Sequence, residues 1–272
     1  FYVEFFRNIP LLLQIFFWYF AALRALPMPE DASLLLGSSF MTIKGLYTPA
    51  PVWQNFNIFL ITLIVALILI FLVNRYAKKR QEEEGEQFPV FFISLGIFAG
   101  LPLLIFLSGG FDLSFSFPEL KQLAKTSYTY EGGMGIPPEL IALTLALTLY
   151  TATFIAENVR AGIQGIGKGQ KEAAASIGLT TAQVLKLVIM PQALRIIIPP
   201  TTNQYLNLTK NSSLAAAIAY PDLVLVFAGT AMMQTGRAIE IVAITMATYL
   251  SISLVISLFM NWYNKSIAIK EK

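Results

Sequence analysis

The stretch FNIFLITLIVALILIFLV, residues 56–73, decides the fold class of this chain. It contains one Asn and one Thr, and none of its side chains is charged. An α-helix crosses the roughly 30 Å hydrocarbon core of a bilayer with about 20 residues and satisfies its backbone hydrogen bonds internally. The stretch also lacks the alternation of apolar and polar residues that is typical of a membrane β-strand. It therefore predicts a membrane-spanning helix.

Other apolar stretches of similar length occur at 9–26, 90–107, 138–156 and 239–262, and a more polar one lies at 190–212. The composition agrees with six spans, because 56% of the 272 residues are hydrophobic and only 13% are charged, unlike an average soluble protein. We predict an all-α fold, a polytopic transmembrane helix bundle. The segments between spans on one side are rich in Pro, Gly and aromatic residues, and we expect turns and surface helices there.

Basic residues are distributed unevenly between the two sets of loops, and this predicts the orientation. Six of them lie in 24–55, 108–137 and 210–237 (Arg24, Lys44, Lys121, Lys125, Lys210 and Arg237), and twelve lie on the opposite side: Arg75, Lys78, Lys79, Arg80, Arg160, Lys168, Lys171, Lys186, Arg195, Lys265, Lys270 and Lys272. By the positive-inside rule, the side with twelve faces the cytoplasm, including the C-terminus. The acidic run Glu82, Glu83, Glu84 and Glu86 is expected to form a solvated linker.

Missing residue types exclude several functions. The chain has no Cys and no His, so disulfides, thiolate nucleophiles and histidine bases are excluded, and no pair of carboxylates lies within the spans. These features disfavour a membrane enzyme. The net charge of +3 is not gathered in one stripe, which argues against nucleic-acid binding. The start of the chain has no Met and no signal-peptide pattern, so we expect it to lack its native N-terminal part.

Residues 158–190 are predicted to form a cytoplasmic loop with two short helices. The first helix is expected over 170–177 and the second from residue 182, with a break at Gly178 and a capping box of Thr180 and Gln183. Alanines 173–175 offer a face with little side-chain bulk, which another protein's backbone could approach closely. An amphipathic interfacial hairpin without a partner is the alternative.

The spacing of Glu172, Ala173, Ala174, Gly178 and Pro191 resembles the EAA loop of ABC importer permeases, with Val188 and Met190 in place of Ile and Leu. Further segments look like the polar amino-acid uptake branch of these permeases, namely 7–14, 156–162, 169–174, 190–195 and 210–214. Residues 27–137, with two extra spans and long outer loops, are similar to the long permeases of general L-amino-acid importers. The Asn-Thr-Leu motif of an earlier span is not found.

The resemblance implies a type I ABC importer permease that moves L-amino acids inward. The chain would be a single permease domain, 1–272, with an inserted region at 27–137 and a coupling loop at 158–190. It would contact an ATPase through Gly169, Glu172, Ala173, Ala174, Gly178 and Pro191. The implied partners are a second permease of related but different sequence, two ABC ATPases that hold ATP and Mg, and a periplasmic amino-acid-binding protein. The implied location is the bacterial inner membrane, and no cofactor is expected on this chain.

The fifth predicted span has a polar face that suits an amino-acid pathway. Asn203, Asn207 and Lys210 or Asn211 recur at helical spacing, and Pro199 and Pro200 are expected to loosen the preceding turn. Carboxamides and hydroxyls can contact both the carboxylate and the ammonium group of a zwitterion. Hydrogen bonding between helices is the alternative role. The predicted pathway residues are Asn203, Gln204, Asn207, Lys210, Asn211 and Ser212.

Two competing hypotheses are weaker. Residues 162–168 match G-x-x-x-x-G-K, but Gly169 replaces the Ser or Thr that would bind Mg²⁺, and a membrane helix precedes the motif instead of a strand. ATP is therefore expected on a separate subunit. An ion-coupled secondary transporter is the second hypothesis, and such proteins usually carry a buried Asp, Glu or His in a span. The middle of each predicted span lacks all three.

Overall fold

The computed structural model of the protein describes residues 1–35, 37–85, 89–124 and 127–267. Lys125, Lys270 and Lys272, which contribute to the predicted orientation, lie outside these residues, as does Glu86 of the acidic run. The chain divides into two compact units. The first consists of Phe1–Met28, Thr42–Leu46 and Ile136–Lys272, and the second of Pro29–Met41 and Tyr47–Gly135.

Six stretches of helix correspond to the six predicted spans. Among the described residues, five single helices are long and apolar enough to cross a membrane, and the sixth candidate is a pair of helices with a sharp bend between them. This confirms the predicted helical membrane bundle. The helices are α1 (Tyr2–Asn8) and α2 (Leu11–Ala25), α3 (Phe56–Glu84), α4 (Val90–Leu107), α5 (Pro138–Gln164), α7 (Thr181–Ile218) and α9 (Ala238–Ile267), with the shorter α6 (Lys168–Ser176) and α8 (Leu225–Ala231 with Met232–Thr235) between them.

The first span is bent by 101° between α1 and α2. Pro10 has no N–H to continue α1, and the residue before a proline avoids the helical region, so Ile9 is extended with φ −95 and ψ 129. The side chain of Gln14 compensates for the broken helix. Its Nε2 donates to the carbonyl oxygens of Phe6 and Ile9 at 2.8 and 2.9 Å. Gln14 is only 4% exposed, so its amide is part of the interior of this bend.

In the second unit, α3 and α4 pack against each other. Helix α3 continues well beyond the predicted end of the span at residue 73 and includes Glu82 and Glu83. Both side chains are exposed, as expected of a solvated segment, but the segment continues helix α3 and does not form a linker. Lys, Arg, Gln and Glu are good helix formers, and Lys79 and Glu83 form an i, i+4 ion pair at 3.7 Å, so the charged segment extends the apolar helix.

Within the described part of the chain, eight short strands lie in regions that we expected to form turns and surface helices, so that expectation is wrong for these segments. One sheet has the order β1–β2–β3–β8, and β4–β5 and β6–β7 are antiparallel pairs. The turn residues that dominated the sequence pattern are the connections between strands, as Gly132 and Gly133 show with φ of +79 and +62. The strands are β1 (Leu34–Leu35), β2 (Ser39–Thr42), β3 (Gly45–Thr48), β4 (Ala50–Gln54), β5 (Asp112–Ser116), β6 (Glu119–Ala124), β7 (Ser127–Glu131) and β8 (Met134–Ile136).

Three aromatic residues form the interior of this strand region. Tyr130 is 8% exposed, and its ring centroid lies 4.5 Å from that of Phe40 and 5.0 Å from that of Tyr47. The hydroxyl of Tyr130 donates to the carbonyl oxygen of Pro29 at 3.1 Å. Burial raises the pKa of Tyr130 above its usual value, so the hydroxyl remains a donor across the neutral pH range.

Helix α5 is the centre of the first unit, because α1, α2 and α7 all contact it, and α9 packs on α7. Small residues permit these close contacts. Ala142 and Ala146 on α5 and Ala193 on α7 are fully buried. Gly162 on α5 lies against α7, where a Cβ built on it would be 2.4 Å from Ile197 Cγ1 and 3.3 Å from the carbonyl oxygen of Ala193.

Replacing Gly162 with Ala is expected to destabilise the bundle by about 1–3 kcal/mol, because the added methyl group has no space at the crossing of α5 and α7. Thermal unfolding of the purified complex in detergent should show a melting temperature several degrees below that of the wild type. Gly169→Ala is the matched control, since a Cβ there meets nothing within 4 Å. An unchanged melting temperature for Gly162→Ala would contradict the expected clash.

Candidate coupling loop and polar helix face

The first of the two helices predicted for the loop is present between α5 and α7, whereas the second is the beginning of the long helix α7 and not a separate short helix. Helix α6 covers Lys168–Ser176, and Gly178 follows it with φ +84, a conformation that favours glycine. The N–H of Gly178 donates to the carbonyl oxygen of Ala175 at 3.0 Å, and that of Leu179 donates to Ala174 at 3.2 Å. These bonds satisfy carbonyls at the end of α6, so the chain can turn sharply into α7.

The predicted capping box is formed at the start of α7. The N–H of Thr180 donates to Gln183 Oε1 at 2.9 Å, and the N–H of Gln183 donates to Thr180 Oγ1 at 3.4 Å. Two backbone N–H groups that the first helical turn would leave unpaired are thereby satisfied. The start of α7 is fixed at this point.

Thr180→Ala is expected to weaken this helix start by about 1 kcal/mol, because the cap hydroxyl is lost. Amide hydrogen exchange over residues 181–189 should become several times faster than in the wild type. Thr181→Ala lies one residue further on and removes a hydroxyl that takes no part in the box, so it should leave the exchange unchanged. Equal exchange in both variants would contradict the capping role.

Six apolar residues, which we call the loop cluster, join the loop to α7. Ala174 of α6 is 5% exposed inside this cluster, whereas Glu172, Ala173 and Ala175 are exposed. The predicted small face is thus divided, since Ala174 packs inward and only its neighbours are available to a partner. The cluster consists of Ile166, Ala174, Val184, Ile189, Ala193 and Ile197.

The other predicted coupling residues are on the surface of the loop. Gly169 lies in the first turn of α6 and is exposed. Pro191 is the second residue of the α-helical part of α7, which begins at Met190, and it is also exposed. The carboxylate of Glu172 forms no ion pair within the described residues and faces outward. Its backbone carbonyl accepts a hydrogen bond from Ser176 at 2.9 Å. A negative charge and small residues are therefore exposed together on one short helix.

The predicted pathway residues lie on the α-helical part of α7, Met190–Asn211, and on the turn that follows it. Asn203, Asn207 and Lys210 are exposed, and their spacing places them on one face. Gln204, Asn211 and Ser212 are half-buried. The helix is continuous through both internal prolines.

The asparagines differ from the neighbouring threonines in their hydrogen bonding. Thr201 and Thr202 donate to carbonyl oxygens of their own helix, those of Ile197 and Ile198, at 2.7 and 3.0 Å. The side-chain amides of Asn203 and Asn207 have no hydrogen-bond partner among residues 1–35, 37–85, 89–124 and 127–267. An exposed carboxamide inside a span requires a polar partner or water, because lipid offers neither.

The nucleotide-binding motif at 162–168 does not form a phosphate loop, since residues 162–164 are the end of helix α5 and the segment that leads into the motif is this long helix and not a strand. The described residues contain no group of three or more Asp or Glu side chains that could hold a metal ion.

Two features were not predicted from the sequence. They are the role of Gly162 at a close helix crossing and the membership of the loop cluster. The only sequence signal for them was the density of small and apolar residues around 162–166 and 184–197.

A bundle of spanning helices with a small-residue loop and an exposed polar helix face defines a membrane transport subunit. A family model described as the binding-protein-dependent transport system inner membrane component matches residues 87–269. The chain belongs to this family, so it is an ABC importer permease and not an enzyme, and ATP hydrolysis in this family resides on a separate subunit.

Similar proteins agree with this assignment. The putative amino-acid ABC transporter permease protein YhdX of Escherichia coli is 50% identical over 272 residues, which are 100% of this chain and 68% of that protein. The general L-amino acid transport system permease protein AapQ of Rhizobium johnstonii is 48% identical over 100% of this chain and 66% of its own length. The glutamate/glutamine/aspartate/asparagine transport system permease protein BztB of Rhodobacter capsulatus is 38% identical over 100% and 70%. The resemblance to amino-acid ABC permeases is confirmed, and the chain spans about two thirds of the length of these relatives.

Proposed function

We propose that this permease moves L-amino acids inward across the bacterial inner membrane, and that a partner ATPase drives it through the loop at 158–190. The loop cluster is the observation that carries this proposal. It packs α6 against α7, the helix that bears Asn203, Asn207 and Lys210. Packed elements move as units, so a partner that displaces α6 also displaces the polar face.

The partner ATPase would contact the exposed side of α6. Ala173 and Gly169 permit close approach of another backbone, and the carboxylate of Glu172 can pair with a basic group. The buried Ala174 would act by holding α6 on the loop cluster, while Gly178 and Pro191 fix the direction in which the chain leaves the loop. ATP and Mg would be held by the ATPase alone.

A second permease would complete the pathway at the polar face of α7. Asn203 and Asn207 are exposed in the isolated subunit and have free amides, which suits a water-filled path between two subunits. The partner is proposed to be a related but different chain, and a periplasmic binding protein would deliver the substrate. The relatives' names include general L-amino acids and the glutamate, glutamine, aspartate and asparagine group, so we infer a polar or broad substrate range.

Two further features of the organisation are proposals. We infer that 27–137 is an inserted region with two extra spans, and the compact unit of Pro29–Met41 and Tyr47–Gly135 supports this division. We also infer that the loop and the C-terminus face the cytoplasm, from the excess of basic residues on that side.

Uptake by the purified importer in proteoliposomes tests the proposal. With ion gradients dissipated, ATP on the loop side should sustain uptake of radiolabelled glutamate and glutamine. Uptake that requires an ion gradient and does not depend on ATP would overturn the proposal in favour of ion-coupled transport. The similar proteins named above do not support that alternative. ATP supplied on the opposite side should have no effect, and this arm tests the orientation separately.

A further inference from the structure

Helix α3 carries four basic residues within two turns, directly after its apolar stretch. We call Arg75, Lys78, Lys79 and Arg80 the basic turn. The stretch 56–73 is about 27 Å long at 1.5 Å per residue, close to the roughly 30 Å hydrocarbon thickness. Because α3 continues without a break to Glu84, the basic turn is held at the depth of the lipid headgroups.

The charges along this part of α3 are separated. Lys79 Nζ lies 3.7 Å from Glu83, but both side chains are largely exposed, at 72% and 60%, so water screens this pair. Arg75 and Lys78 form no ion pair within the described part of the chain. Glu82 and Glu83 lie further from the apolar stretch than Arg75 and Lys78. The positive charge is therefore next to the bilayer, and the negative charge is further away.

A surface cavity of about 580 Å³ lies on this turn and combines apolar and basic walls. Leu72 and the 55% exposed Tyr76 provide its apolar lining. Arg75, Lys78 and Lys79 provide three basic groups, and the carboxylate of Glu82 also lines the cavity, so positive groups outnumber negative ones three to one. A guanidinium group can form two parallel hydrogen bonds with a phosphate, and an ammonium group attracts it as a point charge. A phospholipid headgroup has a phosphate attached to an acylated glycerol, so it could contact the basic and the apolar side chains of this cavity at the same time.

We propose that the basic turn binds the phosphate of an anionic phospholipid headgroup and thereby anchors the α3–α4 hairpin at the bilayer surface. The lipid glycerol and the first acyl carbons contact Leu72 and Tyr76. The acidic residues beyond the turn repel the same headgroup, which fixes the depth of α3. This role is separate from the proposed transport function, and its test needs no transport assay.

Native mass spectrometry of the delipidated importer complex tests the proposal, with phosphatidylglycerol and phosphatidylcholine as probes. The wild type should bind phosphatidylglycerol more tightly. The variant Arg75→Gln/Lys78→Gln/Lys79→Gln should raise the Kd for phosphatidylglycerol at least fivefold, since each basic residue near an anionic headgroup strengthens binding about fivefold. The affinity for phosphatidylcholine and the melting temperature should stay at wild-type values. Lys78→Gln alone should give a smaller shift in the same direction.

Two controls separate this site from general charge effects. Lys168→Gln/Lys171→Gln removes two basic residues elsewhere and should leave the Kd for phosphatidylglycerol unchanged. Glu82→Gln/Glu83→Gln should leave it unchanged or lower it. Equal binding of both lipids by the wild type, an unchanged Kd in the triple variant, or complete displacement of the lipid by millimolar inorganic phosphate would each overturn the proposal.

Discussion

Gly178→Val is expected to reduce amino-acid uptake at least tenfold while ATP hydrolysis by the assembled importer continues. Gly178 has φ +84, where a β-branched side chain is strained by about 1–3 kcal/mol. Relief of this strain opens the turn whose two hydrogen bonds close α6. Ala174 then leaves the loop cluster, and movement of α6 no longer reaches α7. About 1.4 kcal/mol of lost coupling corresponds to the tenfold effect.

The measurement pairs uptake of radiolabelled amino acid with ATP hydrolysis in the same proteoliposomes. Gly85→Val is the matched control, because Gly85 has φ +71, meets nothing within 4 Å and ends α3 instead of α6. It introduces the same backbone strain outside the loop and should keep wild-type uptake. Normal uptake in Gly178→Val, or an equal loss in Gly85→Val, would show that the loop is not the coupling element.

The double variant Asn203→Leu/Asn207→Leu is expected to lower uptake at least tenfold and to leave assembly with the partner subunits intact. Leu has the same number and branching of side-chain heavy atoms as Asn but offers no donor or acceptor to a zwitterion. The two amides have no hydrogen-bond partner within the described subunit, so their replacement leaves no unpaired group behind in it. Uptake of glutamine in proteoliposomes, together with gel filtration of the complex, measures both effects.

Thr201→Val/Thr202→Val is the control for the polar face. These hydroxyls already bond to carbonyls of their own helix, so their loss should change uptake less than twofold. If these asparagines instead hold helices together by hydrogen bonds, the asparagine variant should lose assembly as well as uptake. Loss of both would contradict the proposal that Asn203 and Asn207 line the substrate pathway.

The spans could be predicted because lipid leaves the chain few choices. Apolar length alone identified 56–73 and 90–107, whose helices bury little surface in the structure. The continuation of α3 was missed because a change to charged residues was interpreted as the end of the helix, although those residues have high helix propensity. The strands were missed because they are short and their turn residues dominated the local pattern.

The coupling loop was predicted in its local features and missed in its packing. Gly178, Thr180 and Gln183 act on neighbours within a few residues, so their roles are visible in the sequence. The inward position of Ala174 depends on residues such as Ile197, more than twenty positions away. The tight contact at Gly162 depends likewise on how α5 crosses α7. Such features require the tertiary structure.

The bend at Pro10 has a consequence for the bilayer itself. Helix α2 alone, at about 1.5 Å per residue, reaches only about 22 Å, which is less than the roughly 30 Å of hydrocarbon beside it. Lipid next to this helix must thin, or neighbouring protein must fill the remaining depth. Either response makes the surroundings of this helix differ from those of the full-length spans. The buried amide of Gln14 pairs with the carbonyl oxygens of Phe6 and Ile9, so the backbone groups that the bend leaves open stay hydrogen-bonded there.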